Sequence, residues 1–177
     1  MKNLNIKQFC GSAAILWLMI AASGCKSCSP GEPGTPGQYT IEISRTETLK
    51  KETILVHLVP ATKLSLPGWE TYDMGKYWTP GDLKRQEADY VKLEFKAGQT
   101  SPLSLPITDA KWKEWKAKHV TDVLVLADLT TAEASRPGNQ DPRRLILQLG
   151  ECVWPSKTSV LRVQLKASGM EVLTPLR

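Results

Sequence analysis

Between residues 39 and 174 the apolar side chains recur at every second position in short runs, separated by polar or Pro- and Gly-containing segments. Tyr39, Ile41 and Ile43 alternate with Thr40, Glu42 and Ser44, and Val91, Leu93 and Phe95 alternate with Lys92, Glu94 and Lys96. Ile54-Val56-Leu58, Leu103-Leu105-Ile107, Leu145-Leu147-Leu149, Leu161-Val163-Leu165 and a last run from Met170 to Thr174 obey the same rule. A period of two places alternate side chains on one face of a strand, so each run has one face to bury. Many such short strands predict an all-β fold: a two-sheet β-sandwich of seven to eight strands, with one or two short helices. Val123 to Leu129 is apolar at both parities and is expected to be a central strand covered on both faces.

Helical signals are few. Asp109 is positioned to cap a helix from Ala110 to Lys118, on which Trp112 and Trp115 lie three apart and share a face. Its expected role is a lid over one end of the sandwich; a basic, Trp-bearing helix on a membrane surface is the alternative. A second short turn of helix is expected between Gly81 and Ala88.

Ahead of the strands stands a segment of another kind. Lys2 and Lys7 precede an apolar run from Phe9 to Ala22, closed by Ala22-Ser23-Gly24-Cys25. Fourteen residues of helix rise about 21 Å, short of the roughly 30 Å of hydrocarbon that a span must cross. The order resembles the lipobox of bacterial lipoproteins, which implies a signal peptide over residues 1–24, cleavage before Cys25 and acyl chains on that cysteine. Two or more chains anchor a domain stably, so the expected partner of this end is a membrane. Residues 25–38, with Pro30, Pro33 and Pro36 among Gly31, Gly34 and Gly37, read as a lipidated cysteine and an extended tether. The β-sandwich domain is assigned to residues 39–177.

The remaining cysteines follow from that reading. Cys25-Lys26-Ser27-Cys28 has the spacing of a thiol oxidoreductase, but acylation consumes the first sulfur and no βαβ pattern surrounds the pair. With Cys10 lost with the signal, Cys28 and Cys152 are left, either joined across an oxidising compartment or present as two unpaired thiols.

Charge and composition exclude several classes. Without the two signal lysines the formal charge falls from +5 to +3, and the basic residues are scattered, which gives no nucleic-acid footprint. His57 and His119 are the only histidines, so no zinc helix of the His-Glu-x-x-His kind can form, and no metal or other cofactor is expected. There is no Gly-x-Ser-x-Gly elbow and no phosphate loop. His57, in mid-strand, reads as an edge or outward-facing residue, and Asp122, Asp128 and Asp141 as turn formers. The chain reads as a non-enzyme with no catalytic residues.

Recognition is expected elsewhere. The segment from Thr62 to Trp78 carries Trp69, Tyr72, Tyr77 and Trp78 without strand alternation. Such rings either form an exposed contact surface, with sugar stacking as a variant, or fold back over the sandwich.

The order Leu93-Glu94-Phe95-Lys96-Ala97-Gly98-Gln99, Leu103-Ser104-Leu105, Val123 to Leu129, then Arg143-Arg144 before Leu145-Ile146-Leu147 resembles the SciN-type lipoproteins of type VI secretion systems. The resemblance spans residues 52 to 173. It implies a β-sandwich anchored in the outer membrane on its periplasmic face and free of catalysis. It also implies that the 62–78 loop holds the periplasmic region of an inner-membrane secretion protein. Arg143 stands where the family has an aromatic residue, and Lys26 lacks the aspartate of an inner-membrane retention signal. The alternative function is a lipid-tethered binding module for a carbohydrate or other small ligand.

Overall fold

The computed structural model describes residue 28 and residues 34–130, 140–155 and 157–177. The expected signal peptide and the lipidation site at Cys25 lie outside the described residues. Eight strands are present among those described: β1 (Thr40–Arg45), β2 (Ile54–Ala61), β3 (Val91–Phe95), β4 (Leu103–Leu105), β5 (Asp122–Ala127), β6 (Arg144–Gln148), β7 (Val160–Lys166) and β8 (Gly169–Val172). They form two four-stranded sheets, ordered β4-β1-β7-β8 and β3-β2-β5-β6. All pairings are antiparallel except β1 with β7, where Ile41 lies beside Leu161 and Ile43 beside Val163. The fold is an all-β sandwich.

The alternation determines what the sheets bury. Ile41 and Ile43 from β1, Val56 and Leu58 from β2, Val123 and Val125 from β5, and Leu161 and Val163 from β7 are all fully enclosed in one cluster between the sheets. Burying each such side chain contributes about 1.5–3 kcal/mol, opposed by the entropy of ordering the chain. The second sheet carries a further apolar face: Val59, Ala61, Leu124 and Leu126 point away from the sandwich core into a separate cluster. All six residues of β5 are buried, as a strand covered on both faces requires.

That second face is covered by helix where the sequence suggested a loop. α1 (Leu66–Glu70) and α2 (Met74–Trp78), each five residues long, cap the outside of the β3-β2-β5-β6 sheet, and α3 (Leu83–Glu87), also of five residues, follows them within the helical turn expected between Gly81 and Ala88. With α4 (Lys111–Ala117) the described residues contain four short α-helices, more than the one or two expected. α4 plugs one end of the sandwich, and Trp112 and Trp115 are both buried there, with ring centroids 5.0 Å apart at 77°. Its N-cap is Ala110 instead of Asp109; the Asp109 carboxylate accepts the Lys111 backbone N–H at 2.8 Å from one position further out. His119 ends the helix in the left-handed region at φ 55, while the Val120 N–H returns to the Trp115 carbonyl at 3.0 Å.

The N-terminal segment does not hang free at its described positions. Cys28 and Cys152 are joined by a disulfide. Pro36 bridges to Gly150, Gly37 donates to the Leu149 carbonyl at 2.7 Å, and the Glu151 N–H reaches the Thr35 carbonyl at 3.0 Å. Gly34 passes the bridge at φ 74, where an added Cβ would stand 2.7 Å from the Cys152 sulfur. Residues 34–38 are thus strapped to the sandwich, which shortens the extended tether expected over residues 25–38.

At the opposite end a single side chain ties the turns together. The Arg45 guanidinium donates to the carbonyls of Leu49, Glu52, Lys50, Lys96 and Gln99, at 2.6–3.1 Å. It joins the 3₁₀ turn Glu47–Leu49 to the β3–β4 connection.

Candidate functional site

The segment expected to carry recognition is the helical cap, and its local structure begins with two aspartates. Asp73 accepts the Gly75 N–H at 2.6 Å and that of Lys76 at 3.4 Å, starting α2. Asp82 accepts the Arg85 N–H at 2.8 Å, starting α3. Both satisfy backbone donors that a helix start leaves unpaired. Asp82 also accepts the Tyr72 hydroxyl at 2.6 Å, and this bond, reinforced by burial, pushes the Tyr72 phenol up to about 12.

The aromatic side chains of the cap converge on one strand residue. His57, on β2, is 3% exposed. Its ring stacks on Tyr90 at 3.8 Å and 10°, lies 4.9 Å from Trp78, and its Nδ1 is 2.8 Å from the Tyr77 hydroxyl. The expectation of an edge or outward-facing histidine holds only in part: His57 points away from the sandwich core, but on an inner strand and covered. β2 lies between β3 and β5, and the face that His57 occupies is roofed by helices. Burial, with Arg85 and Lys92 nearby, lowers its pKa to about 4, so the ring is neutral at pH 7. Burial is also the main cause that raises the Tyr77 phenol.

A buried arginine closes the arrangement from β6. Arg144 is 5% exposed, and its Nη1 donates to the Trp69 carbonyl at 2.9 Å and the Tyr72 carbonyl at 2.8 Å, satisfying the end of α1. Its Nε and Nη2 find no hydrogen-bond partner among the described residues. The neighbouring Arg143 forks onto Asp141, with Nε to Oδ1 at 3.1 Å and Nη2 to Oδ2 at 2.9 Å. The two arginines singled out in the sequence therefore act on different parts of the fold, one on the cap and one on its own loop.

The four aromatic residues proposed for contact do not form one exposed loop. Trp69 and Tyr77 are buried, while Tyr72 and Trp78 are half-buried. Their rings meet edge to face, at 68° for Trp69 with Tyr72, 70° for Trp69 with Tyr77 and 89° for Tyr77 with Trp78. A flat sugar-stacking platform is absent from this set, because the rings fill the space over an apolar sheet face. What the cap offers outward is Leu83, 69% exposed, beside the Lys84 ammonium, which sits 4.5 Å over the Trp69 ring. Sequence reasoning missed Leu83, since one apolar residue in a five-residue helix has no periodic partner.

A second concave feature lies where the N-terminal strap crosses α4. A cleft of about 620 Å³ is lined by Thr35 to Gln38 on one side and by Trp112, Trp115, Lys116 and His119 on the other. The Trp115 indole N–H, buried in its wall, has no acceptor among the described residues. Among those residues no group of three or more His, Cys, Asp or Glu is placed to hold a metal ion.

With this geometry the fold can be set beside solved structures. The chain aligns with one described as the type VI secretion protein TssM C-terminal domain from EAEC, at TM-score 0.50 and 10% identity, over 76% of this chain and 99% of that one. It aligns with Serratia marcescens Lip, a membrane-bound component of the type VI secretion system, at TM-score 0.48 and 12% identity, over 81% and 100%. For the lipoprotein TssJ1 from Pseudomonas aeruginosa the TM-score is 0.40 at 12% identity, over 79% and 97%. At such identities the likeness is one of fold. No protein-family model matches the chain, and no curated protein matches it.

Proposed function

We propose that this chain is an outer-membrane lipoprotein, acylated at Cys25, that serves as a structural docking component of an envelope-spanning secretion machine of the type VI kind. In this reading it works by contact instead of chemistry, and its partner is the periplasmic region of an inner-membrane protein of that machine. The contact surface is the outside of the helical cap, centred on Leu83 and Lys84, in place of the buried Trp69 and Tyr77.

The observation that carries the docking role is the way the cap is held. Three helices too short to persist alone are held in place: α1 by Arg144 from beneath, α2 by the His57–Tyr77 pair, and α3 by Asp82 on the Tyr72 hydroxyl and Arg85 on the Trp78 carbonyl. A preorganised surface binds without the cost of ordering a loop. The likeness in fold to a type VI secretion protein supports placing the chain in such a machine. Burial of the cap aromatics disfavours the carbohydrate-binding alternative.

The test is genetic. Loss of the chain is expected to abolish export by the secretion machine of the source cell. The intact chain restores it, whereas Cys25→Ser, exported but unacylated, does not. Full restoration by Cys25→Ser would remove the anchor from the account.

A further inference from the structure

The end of the sandwich that carries the N-terminal strap also collects four of the five large hydrophobic side chains exposed among the described residues. Five large hydrophobic residues are exposed among those described. Leu83 is on the cap, and the other four, Leu64, Ile107, Leu173 and Leu176, follow or precede strand ends on the strap side. Leu64 lies just beyond the end of β2 and is 92% exposed; its neighbour Lys63 lines a small cavity together with Gly34 and Gly150. Leu173 continues the β7–β8 ladder to the Arg162 carbonyl, and the Arg177 N–H returns to Val153, next to Cys152. Lys116 on α4 and Lys157 on the approach to β7 are exposed at the same end. No exposed large hydrophobic residue marks the Arg45 end among the described residues.

We infer that this end of the sandwich lies directly against the lipid bilayer, and that the Cys28–Cys152 disulfide holds it there. The inference rests on the lipoprotein reading of Cys25. Two residues lie between Cys25 and Cys28, and the three extended steps from one to the other span about 11 Å. With the disulfide in place the acylated residue cannot be further than that from Cys28, so the bilayer surface meets Leu64, Leu176 and their basic neighbours. Without it the first fixed point is Thr35, whose carbonyl accepts from Glu151, ten residues from the anchor and about 35 Å of reach. The disulfide thus selects between a domain resting on the membrane and one free to swing above it. Leu64 beside Lys63 and Leu176 beside Arg177 are suited to that contact, the apolar side chains entering the headgroup region and the cationic groups meeting anionic lipid.

The experiment uses the full acylated chain on vesicles of phosphatidylethanolamine with phosphatidylglycerol. An environment-sensitive fluorescent amino acid is placed at position 64, at position 176 or, as a distal control, at position 51. Flotation with the vesicles is read first, and a chain that fails to float removes the anchor on which the inference stands. For a chain that floats, blue-shifted emission is expected at 64 and 176 and none at 51. Equal emission at all three positions overturns the bilayer contact while leaving the anchor intact. The shift should be lost in the Cys28→Ser, Cys152→Ser double variant, checked for retained fold by circular dichroism. A shift that persists there overturns the role given to the disulfide.

Discussion

His57 and Tyr77 meet beneath the helical cap, with Nδ1 and hydroxyl 2.8 Å apart and neither ring in contact with bulk solvent. The strand supplies the imidazole and α2 the phenol, so the bond fastens helix to sheet. Because the folded-state pKa of His57 is lowered to about 4, the unfolded chain binds the extra proton between that value and its ordinary pKa near 6.5. The sign follows directly. Stability is highest above pH 6.5, declines as pH falls towards 4, and changes no further below that through this group. The full loss is on the order of 3 kcal/mol. Urea midpoints measured from pH 8 to pH 4.5 should fall more steeply for the native chain than for His57→Gln, once the lower absolute stability of the variant is allowed for. Parallel profiles would place the titration elsewhere.

Tyr77→Phe keeps the ring and removes the hydroxyl. It leaves the buried His57 Nδ1 without its partner, which costs about 1–3 kcal/mol. The expected signature in denaturant is a lower midpoint at unchanged slope, since the surface exposed on unfolding barely alters.

Arg144 presents a larger case. Its Nη1 donates to two carbonyls at the end of α1; the Trp69 carbonyl also accepts the Tyr72 N–H at 3.3 Å, whereas the Tyr72 carbonyl depends on the guanidinium. Arg144→Met fills the volume but loses two charge-assisted hydrogen bonds and leaves the Tyr72 carbonyl without its donor, at a cost of about 2–4 kcal/mol. Hydrogen exchange should rise across residues 66–78 while β1 and β7 stay protected. Uniform acceleration over the whole chain would show that the cap is not a separate unit of stability.

The disulfide closes a loop with a sequence separation of 124 residues. Chain-entropy arguments give such a bridge about 4–5 kcal/mol, acting mostly on the unfolded state. Cys28→Ser should therefore lower the thermal midpoint substantially, and the native chain treated with reductant should behave like the variant.

The strands that bury one set of alternating residues were legible, and β1, β3 and β7 match the alternating runs within a residue at either end. β5 announced its two covered faces by being apolar at both parities. Of the cap, α3 falls inside the helical turn expected between Gly81 and Ala88, whereas α1 and α2 were not legible. Helices of five residues are shorter than two turns, so a period of 3.6 has no room to show, and Pro67, Gly68 and Gly75 point to a loop. The available signal was Asp73, the N-cap of α2, and it was outweighed by the glycines. His57 was misjudged for a related reason: its surroundings come from residues 20 to 33 positions away, Tyr77, Trp78 and Tyr90, and no local pattern reveals them.

The central claim is that the outer face of the cap holds an inner-membrane protein of a secretion machine. It is tested most directly by placing a photoreactive amino acid at Leu83 in the full-length chain in its own cell, with the same residue at Arg162 on the other sheet as control. The account predicts a crosslink from position 83 to an inner-membrane component of that machine, identified by mass spectrometry, and none from position 162. Crosslinking from 162 alone, or to the same protein equally from both, would contradict it.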